Sequence, residues 1–358
     1  MSALPPGSVI GILGGGQLAR MLALAAAPLG LKCHIFAPEV DSPAFQVSAS
    51  HMVAQYTDES ALLEFAAEVD LVTYEFENVP VEAVEFLETL KPVRPGSKAL
   101  SVAQDRLKEK WLARDLGAMT ADFTSVNSLE ELRKRAGLMI EYPSILKTNR
   151  FGYDGKGQAK LNSEADIETA WAMMKNQPAI LEGFVHFDFE ISVICARGVD
   201  GSFAAYEPIE NVHRNHILHT SKVPARIEDE LAVEAVYIAQ RMADILDYVG
   251  VMGVEFFVGR HSLYVNEIAP RVHNSGHWTQ DACVVSQFEQ HIRAVAGWPL
   301  GATSRHSDVV MTNLLGDEAD QWKTLASEPN VGLHLYGKAE FWPGRKMGHY
   351  NRITPRQG

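Results

Sequence analysis

The chain has 358 residues, 46% of them hydrophobic, and a formal net charge of −13 at pH 7. That length suits two or three domains of roughly 100–200 residues each, with ample apolar content for their cores. The acidic balance excludes a general nucleic-acid or membrane-surface binder, which needs a basic field, so local clusters of Lys and Arg become informative. Cys33, Cys195 and Cys283 are odd in number and far apart, which fits reduced thiols and a cytoplasmic location better than a disulfide frame. The opening Met-Ser-Ala-Leu-Pro-Pro-Gly has no basic n-region of a signal peptide. The apolar run 18–31 contains Arg20 and Pro28 and is too short to span a bilayer, so it reads as a buried helix.

In chain order, 9–13 is an apolar strand entering Gly14-Gly15-Gly16, followed by that helix and by strands at 33–36 and 71–74. Strand, glycine turn, helix, strand predicts a parallel α/β domain over the first hundred residues. Turn chemistry at 91–96 precedes a charged helix from about 101 to 116, where a domain boundary falls. A strand at 142–147 leads into a second glycine loop at 152–158. Beyond it come a helix near 166–175, strands at 179–182 and 189–196, and a long helix at about 227–246. A hairpin occupies 251–269, and the last fifty residues are expected to form a small closing domain.

Gly14-x-Gly16-x-x-Ala19 after a strand meets the dinucleotide fingerprint, with Glu39 near the distance of a ribose-binding acid. The same loop serves any phosphate, because glycines allow close approach and a helix N-terminus offers free N–H groups; it also serves as a plain tight turn. The second loop packs three glycines around Asp154 and Lys156 shortly after Lys147, and no Gly-Lys-Ser/Thr follows, so it is not a Walker A loop. Such a hairpin can fold over a triphosphate, with Lys147 as a point charge on phosphate oxygens; a surface hairpin is the plain alternative.

Between 251 and 258 the strand alternates, leaving Glu255 on the face opposite Val254, Phe256 and Val258. An odd-length turn within 259–262, or a bulge, sets Glu255 across from Glu267; an even turn pairs it with Asn266. Two facing carboxylates repel unless a cation lies between them, and Mg²⁺ takes hard oxygen ligands that it shares with phosphates. Directly after, Arg271 offers a planar fork for a carboxylate or phosphate, beside His273, Asn274 and His277.

Lys147, the Gly-Tyr-Asp-Gly-Lys-Gly-Gln loop, Glu182-Gly183-Phe184-Val185, and Glu255 with Asn266-Glu267 resemble the ATP-grasp superfamily. More narrowly, Gly14-Gly15-Gly16-Gln17-Leu18, Thr73-Tyr74-Glu75-Phe76-Glu77-Asn78-Val79, Arg271-Val272-His273-Asn274-Ser275-Gly276-His277 and Pro343-Gly344-Arg345-Lys346-Met347-Gly348-His349 resemble the N5-carboxyaminoimidazole ribonucleotide synthetases of purine synthesis. The likeness runs from about residue 8 to 352. Val272 departs from the usual proline, which changes backbone stiffness without removing a catalytic group.

The resemblance implies an α/β chain in three parts: a Rossmann-like parallel α/β domain at 1–107, an ATP-grasp domain at 108–300 with a lid at about 118–183, and a small C-terminal domain at 301–358. It implies a ligase that takes ATP, bicarbonate and aminoimidazole ribonucleotide to ADP, phosphate and the N-carboxylated ribonucleotide. Arg106, Lys147 and the loop of Gly152, Tyr153, Asp154, Gly155, Lys156, Gly157 and Gln158 would hold ATP phosphates. Glu182, Gly183, Phe184 and Val185 would line the adenine, Glu190 would bind ribose, and His213 would lie near the nucleotide. Glu255 and Glu267 would carry Mg²⁺, or Mn²⁺ as a substitute, with Asn266 beside them.

Arg271, His273, Asn274 and Lys346 are the catalytic candidates, with Arg271 neutralising developing charge and His273 moving a proton. The substrate phosphate is expected near Gly16, Gln17 and Leu18 and the basic residues Arg345, Lys346 and Arg352, with Glu75 and Asp154 toward the ribose and aminoimidazole. A homodimer is implied, without nucleic acid or membrane as partner. Rival readings are a formate-using ATP-grasp transformylase, a nicotinamide-dependent dehydrogenase and a non-catalytic nucleotide-binding module. The dehydrogenase leaves Glu255, Glu267 and the second loop unexplained, and the binding module leaves 271–277 unexplained.

Overall fold

The computed structural model describes residues 3–150, 152 and 157–356. The apolar run Val9–Leu13 lies inside a four-stranded parallel sheet ordered Ser50–Val53, Lys32–Ala37, Val9–Leu13, Leu71–Tyr74. Ile10, Ile12, Ile35 and Val72 are fully buried, as expected where helices cover both faces of a parallel sheet. Leu13 pairs with Phe36 on one side and Tyr74 on the other. The glycine turn and Glu75 therefore emerge side by side at the carboxyl ends of neighbouring strands, where open α/β sheets hold their ligands.

Two helices differ from expectation for local reasons. The helix after the glycine turn spans Gln17–Ala26 and gives way to a 3₁₀ turn at Ala27–Leu29, because Pro28 has no N–H to continue the ladder. The charged stretch expected as one helix is two, Ser97–Ala103 and Arg106–Asp115. Asp105 separates them with extended backbone, its carboxylate accepting from the N–H groups of Leu107 at 3.0 Å and Lys108 at 3.2 Å. It is thus an N-cap. Starting the second helix at Arg106 puts residues 106, 109 and 110 on one face.

An antiparallel sheet of Phe123–Val126, Ala179–Gly183, Ser144–Thr148 and Gln158–Leu161, in that order, packs over Leu132, Ile167 and Trp171. Among the described residues a ten-stranded sheet forms the rest, one member being Phe203–Ala205, which pairs with Phe189–Arg197 off the main order. Its central strands are Ile217–Val223, Ile209–Arg214, Phe189–Arg197, Gly250–Gly259 and Ser262–Ala269, with the two-residue Met119–Thr120 at the outer edge. At the other end Ser307–Leu315, Lys346–Pro355 and Val331–Leu335 continue the same sheet. The hairpin 209–223 escaped the sequence reading because its polar residues blur the period-two alternation. Helix Asp229–Ile245 buries Leu231, Ala235, Ile238, Ala239 and Met242 beside Val193 and Val254, each large side chain contributing about 1.5–3 kcal/mol. No helix among the described residues is long and apolar enough to cross a membrane.

Candidate active site

A cavity of about 690 Å³ opens between the sheets, within the range of small-molecule sites. The 250–269 hairpin supplies its acidic floor. Gly259 pairs with Ser262, so the turn is even and alone would pair Glu255 with Asn266. A bulge intervenes: Phe256 pairs with Val265 and Glu255 with Glu267, leaving Asn266 as the extra residue. A bulge re-aims side chains, and Glu255, Asn266 and Glu267 all line the cavity.

The opposed carboxylates dominate the local electrostatics. Burial, and then the neighbouring Glu267, push the Glu255 carboxyl up to about 8. Arg106 lies 3.3 Å from Glu267, and the Nε2 of His273 lies 3.2 Å from Glu255. Burial, with Arg271 and Lys346 nearby, lowers His273 to about 3, so its ring is neutral at pH 7. Its Nδ1 accepts from the Ser275 N–H at 3.4 Å, which leaves the ring proton on Nε2, facing Glu255. Behind it a buried chain runs from Ser221 to Asn211 at 2.8 Å, to Ser192 at 2.9 Å, to Ser275 at 2.6 Å and to His273 Nδ1 at 2.8 Å. Each hydroxyl or amide can donate to the next member, so the chain fixes the tautomer from behind.

Cations ring this floor. Arg106 Nη2 donates to the Gly152 carbonyl at 3.3 Å, and acidic neighbours raise its pKa against the effect of burial. Lys147 Nζ donates to Glu182 at 2.7 Å, while Lys110 Nζ lies 3.8 Å from the other Glu182 oxygen. Burial pushes Glu182 up, but the two lysines outweigh it and bring the carboxyl to about 2. On the far wall His213 lies 3.2 Å from Glu190; burial lowers its pKa, yet Glu190 and the floor carboxylates leave a net rise.

At the parallel sheet, Glu75 accepts from the N–H groups of Gly16 at 2.6 Å and Ala19 at 2.9 Å. A Cβ on Gly16 would lie 2.5 Å from the Glu75 carboxylate, and Gly14 sits at φ +104°. The glycines therefore admit a buried carboxylate from the chain itself. Glu75 thus takes the Gly16 N–H, one donor of the loop expected to lie near the substrate phosphate. Gln17, Leu18 and Glu75 do line the cavity. Arg271 donates through Nε to Glu77; burial raises the Glu77 carboxyl, and Arg271 overrides it to bring it to about 2.

Lys346 and Asn274 also line the cavity, Asn274 in a reciprocal amide pair with Asn313 at 3.0 and 2.9 Å. Arg345 stacks over Trp342 at 3.9 Å, outside the lining. Arg352 is set apart: it pairs with Glu328 at 2.7 Å, six residues and ~20 Å further along the strand from Lys346. That ion pair engages the Arg352 side chain, while Lys346 lines the cavity. Gly152, Gln158 and Phe184 line the cavity, whereas Gly183, Phe184 and Val185 line a second one with Arg114 and Tyr264. Gly157, at φ +72°, closes against Thr148. Tyr153, Asp154, Gly155 and Lys156 lie outside the described residues.

Glu109, Lys110, Ser192, Asn211 and Lys338 were not singled out from sequence. Lys338 donates to the Lys346 carbonyl at 2.7 Å, and burial, with Arg345 adding to it, lowers its pKa to about 8. The signal for Glu109 and Lys110 was their offset of three and four from Arg106; the serines carry none.

Comparisons with known proteins give one answer across the chain. The ribonucleotide synthetase preATP-grasp domain model matches residues 8–104, the ATP-grasp domain model 111–288, and the phosphoribosylaminoimidazole carboxylase C-terminal domain model 309–357. N5-carboxyaminoimidazole ribonucleotide synthase of Brucella melitensis is 51% identical over 358 residues, covering 99% of each chain. A crystal structure of the ADP complex of N5-carboxyaminoimidazole ribonucleotide synthetase superposes with a TM-score of 0.95 at 44% identity, covering 98% of this chain and 94% of that one. The Aspergillus clavatus N5-carboxyaminoimidazole synthase, solved with ADP and 5-aminoimidazole ribonucleotide, gives 0.90 at 32% identity, covering 97% and 94%.

Proposed function

The chain belongs to the N5-carboxyaminoimidazole ribonucleotide synthase family of ATP-grasp enzymes, and on that premise we propose how its residues divide the work. It is an ATP-dependent C–N ligase that converts 5-aminoimidazole ribonucleotide to N5-carboxyaminoimidazole ribonucleotide in purine biosynthesis. Bicarbonate supplies the carboxyl group. One of its oxygens attacks the γ-phosphorus of ATP, the P–O bond to ADP breaks, and carboxyphosphate forms. The exocyclic amine then attacks the carboxyl carbon, the C–O bond to phosphate breaks, and the amine loses a proton.

The observation that carries this reading is the opposed pair Glu255 and Glu267 on the floor shared with Arg271 and Lys346. Two facing carboxylates, one of them held up near 8 by burial and its neighbour, suit a divalent cation. Among the described residues no group of three or more His, Cys, Asp or Glu could hold a metal, so phosphate oxygens and water would complete the shell. Magnesium, with manganese as substitute, would supply charge neutralisation at the phosphates. Arg106, Lys147 and the 152–158 loop hold the phosphates, the stretch 182–185 lines adenine, and Glu190 with His213 faces the ribose.

Arg271 neutralises charge on the transferring phosphoryl group, and neutral His273, with its ring proton on Nε2, donates toward the reacting groups while the amine proton passes to the released phosphate. Asn274 orients bicarbonate, while Gln17, Leu18, Glu75, Lys346 and, through Lys338, Arg345 serve the ribonucleotide. The division at 1–107, 108–300 and 301–358, a homodimer and a cytoplasmic setting, to which three buried free thiols are suited, complete the proposal. The test is phosphate release from ATP by the purified chain. Release that requires both the ribonucleotide and bicarbonate is expected; release with formate but none with bicarbonate would replace carboxylation with formyl transfer.

A further inference from the structure

The Ser262–Ala269 strand carries Asn266 and Glu267, yet among the described residues only part of its outer edge is paired with a strand. The short Met119–Thr120 strand pairs with Tyr264 and Val265 and then ends. Beyond that point the edge meets helix Arg106–Asp115. Lys110 Nζ donates to the Asn266 carbonyl at 2.7 Å and to the Val265 carbonyl at 3.3 Å. Glu109 accepts the Ile268 N–H. Two adjacent side chains thus replace a missing strand on both sides of Glu267. Both are almost wholly buried, Glu109 at 2% and Lys110 at 1% exposure, where charged side chains are rare unless they have a task.

The segment they hold is the bulge itself. Asn266 is the extra residue, and an extra residue leaves its backbone outside the ladder. Without it, the even turn pairs Glu255 with Asn266, and Glu267 moves to the other face. Arg106, one turn before Lys110, contacts Glu267 itself at 3.3 Å. The face 106, 109, 110 therefore grips the carboxylate and the backbone on either side of it.

We propose that Glu109 and Lys110 are positioning residues that lock the bulge at Asn266 and so keep Glu267 opposite Glu255. The metal consequence rests on the assignment of those two carboxylates to magnesium; the backbone consequence does not. Lys110→Met keeps the length of the side chain and removes its donors. Hydrogen exchange across 264–269 in that variant is expected to speed up at least tenfold, with exchange across 307–315 unchanged. Exchange across 264–269 at the wild-type rate overturns the proposal.

A second readout is ADP binding by calorimetry with magnesium and with chelator. Loss of the lock shrinks the magnesium enhancement at least tenfold and leaves metal-free ADP affinity within about threefold. Equal loss in both conditions means that Lys110 acts on the nucleotide through Glu182, and also overturns the proposal. If Lys110→Met does not fold, Glu109→Leu, which removes the acceptor, is expected to reproduce both effects, while Glu109→Gln, which keeps it, is expected to match wild type. Wild-type ADP affinity indifferent to magnesium would refute the metal assignment alone, and the exchange result would still decide the lock.

Discussion

Replacing Glu182 by glutamine preserves its shape and one acceptor but removes the charge between two lysines. In the folded chain its carboxyl is 2.7 Å from Lys147 and 3.8 Å from Lys110, and its side chain is 4% exposed. Burial raises its pKa, and the lysines reverse that, bringing it from 4.5 to about 2. The fall of about 2.5 is equivalent to ~3 kcal/mol at about 1.36 kcal/mol per pH unit, at the low end of the ~3–5 kcal/mol for breaking a buried pair. Because the folded pKa is depressed, the stabilisation is present above pH 4.5 and lost as pH falls from there toward 2. Urea unfolding of Glu182→Gln and wild type from pH 3 to 8 should therefore give a gap of ~3 kcal/mol that holds down to about pH 5 and closes below it. No gap at pH 7, or a gap that closes between pH 8 and 6, would refute the reasoning.

Glu267→Gln should abolish turnover while the melting temperature stays within ~3 °C of wild type; full activity would remove the metal assignment. Ser192→Ala interrupts the chain behind His273, and kcat should fall about tenfold, or ~1.4 kcal/mol, with the KM for ATP unchanged. An unaltered kcat would mean that Glu255 is held without that chain. Arg352→Ala should leave the KM for the ribonucleotide within twofold, because the exposed pair with Glu328 contributes at most ~1 kcal/mol and only to stability; a tenfold rise would place Arg352 at the substrate site.

The α/β order of the first hundred residues was legible because glycine and apolar runs punctuate it sharply. Helix ends were less so: Asp105 divides a charged stretch through its own cap, and Pro28 ends a helix inside an apolar run, both of which outrank periodicity. The floor of the site turned on one backbone event. Sequence reduced the choice to Asn266 or Glu267 opposite Glu255, but a bulge depends on what holds the extra residue, and those groups lie on a helix about 150 residues away. The first glycine loop looked like a phosphate cradle because a carboxylate and a phosphate both exploit free N–H groups; only the fold brings Glu75 there. Arg345, Lys346 and Arg352 read as one basic cluster along the sequence. A register shift at Leu315, the length of strand between them and the Glu328 pair set Arg352 apart from Lys346.

The central claim is that ATP activates bicarbonate by phosphoryl transfer. The measurement that tests it most directly uses ¹⁸O-bicarbonate with ATP and 5-aminoimidazole ribonucleotide, followed by mass analysis of the released phosphate. Transfer through carboxyphosphate predicts one ¹⁸O in each phosphate formed. Unlabelled phosphate, released at the same rate as the carboxylated product, would contradict it.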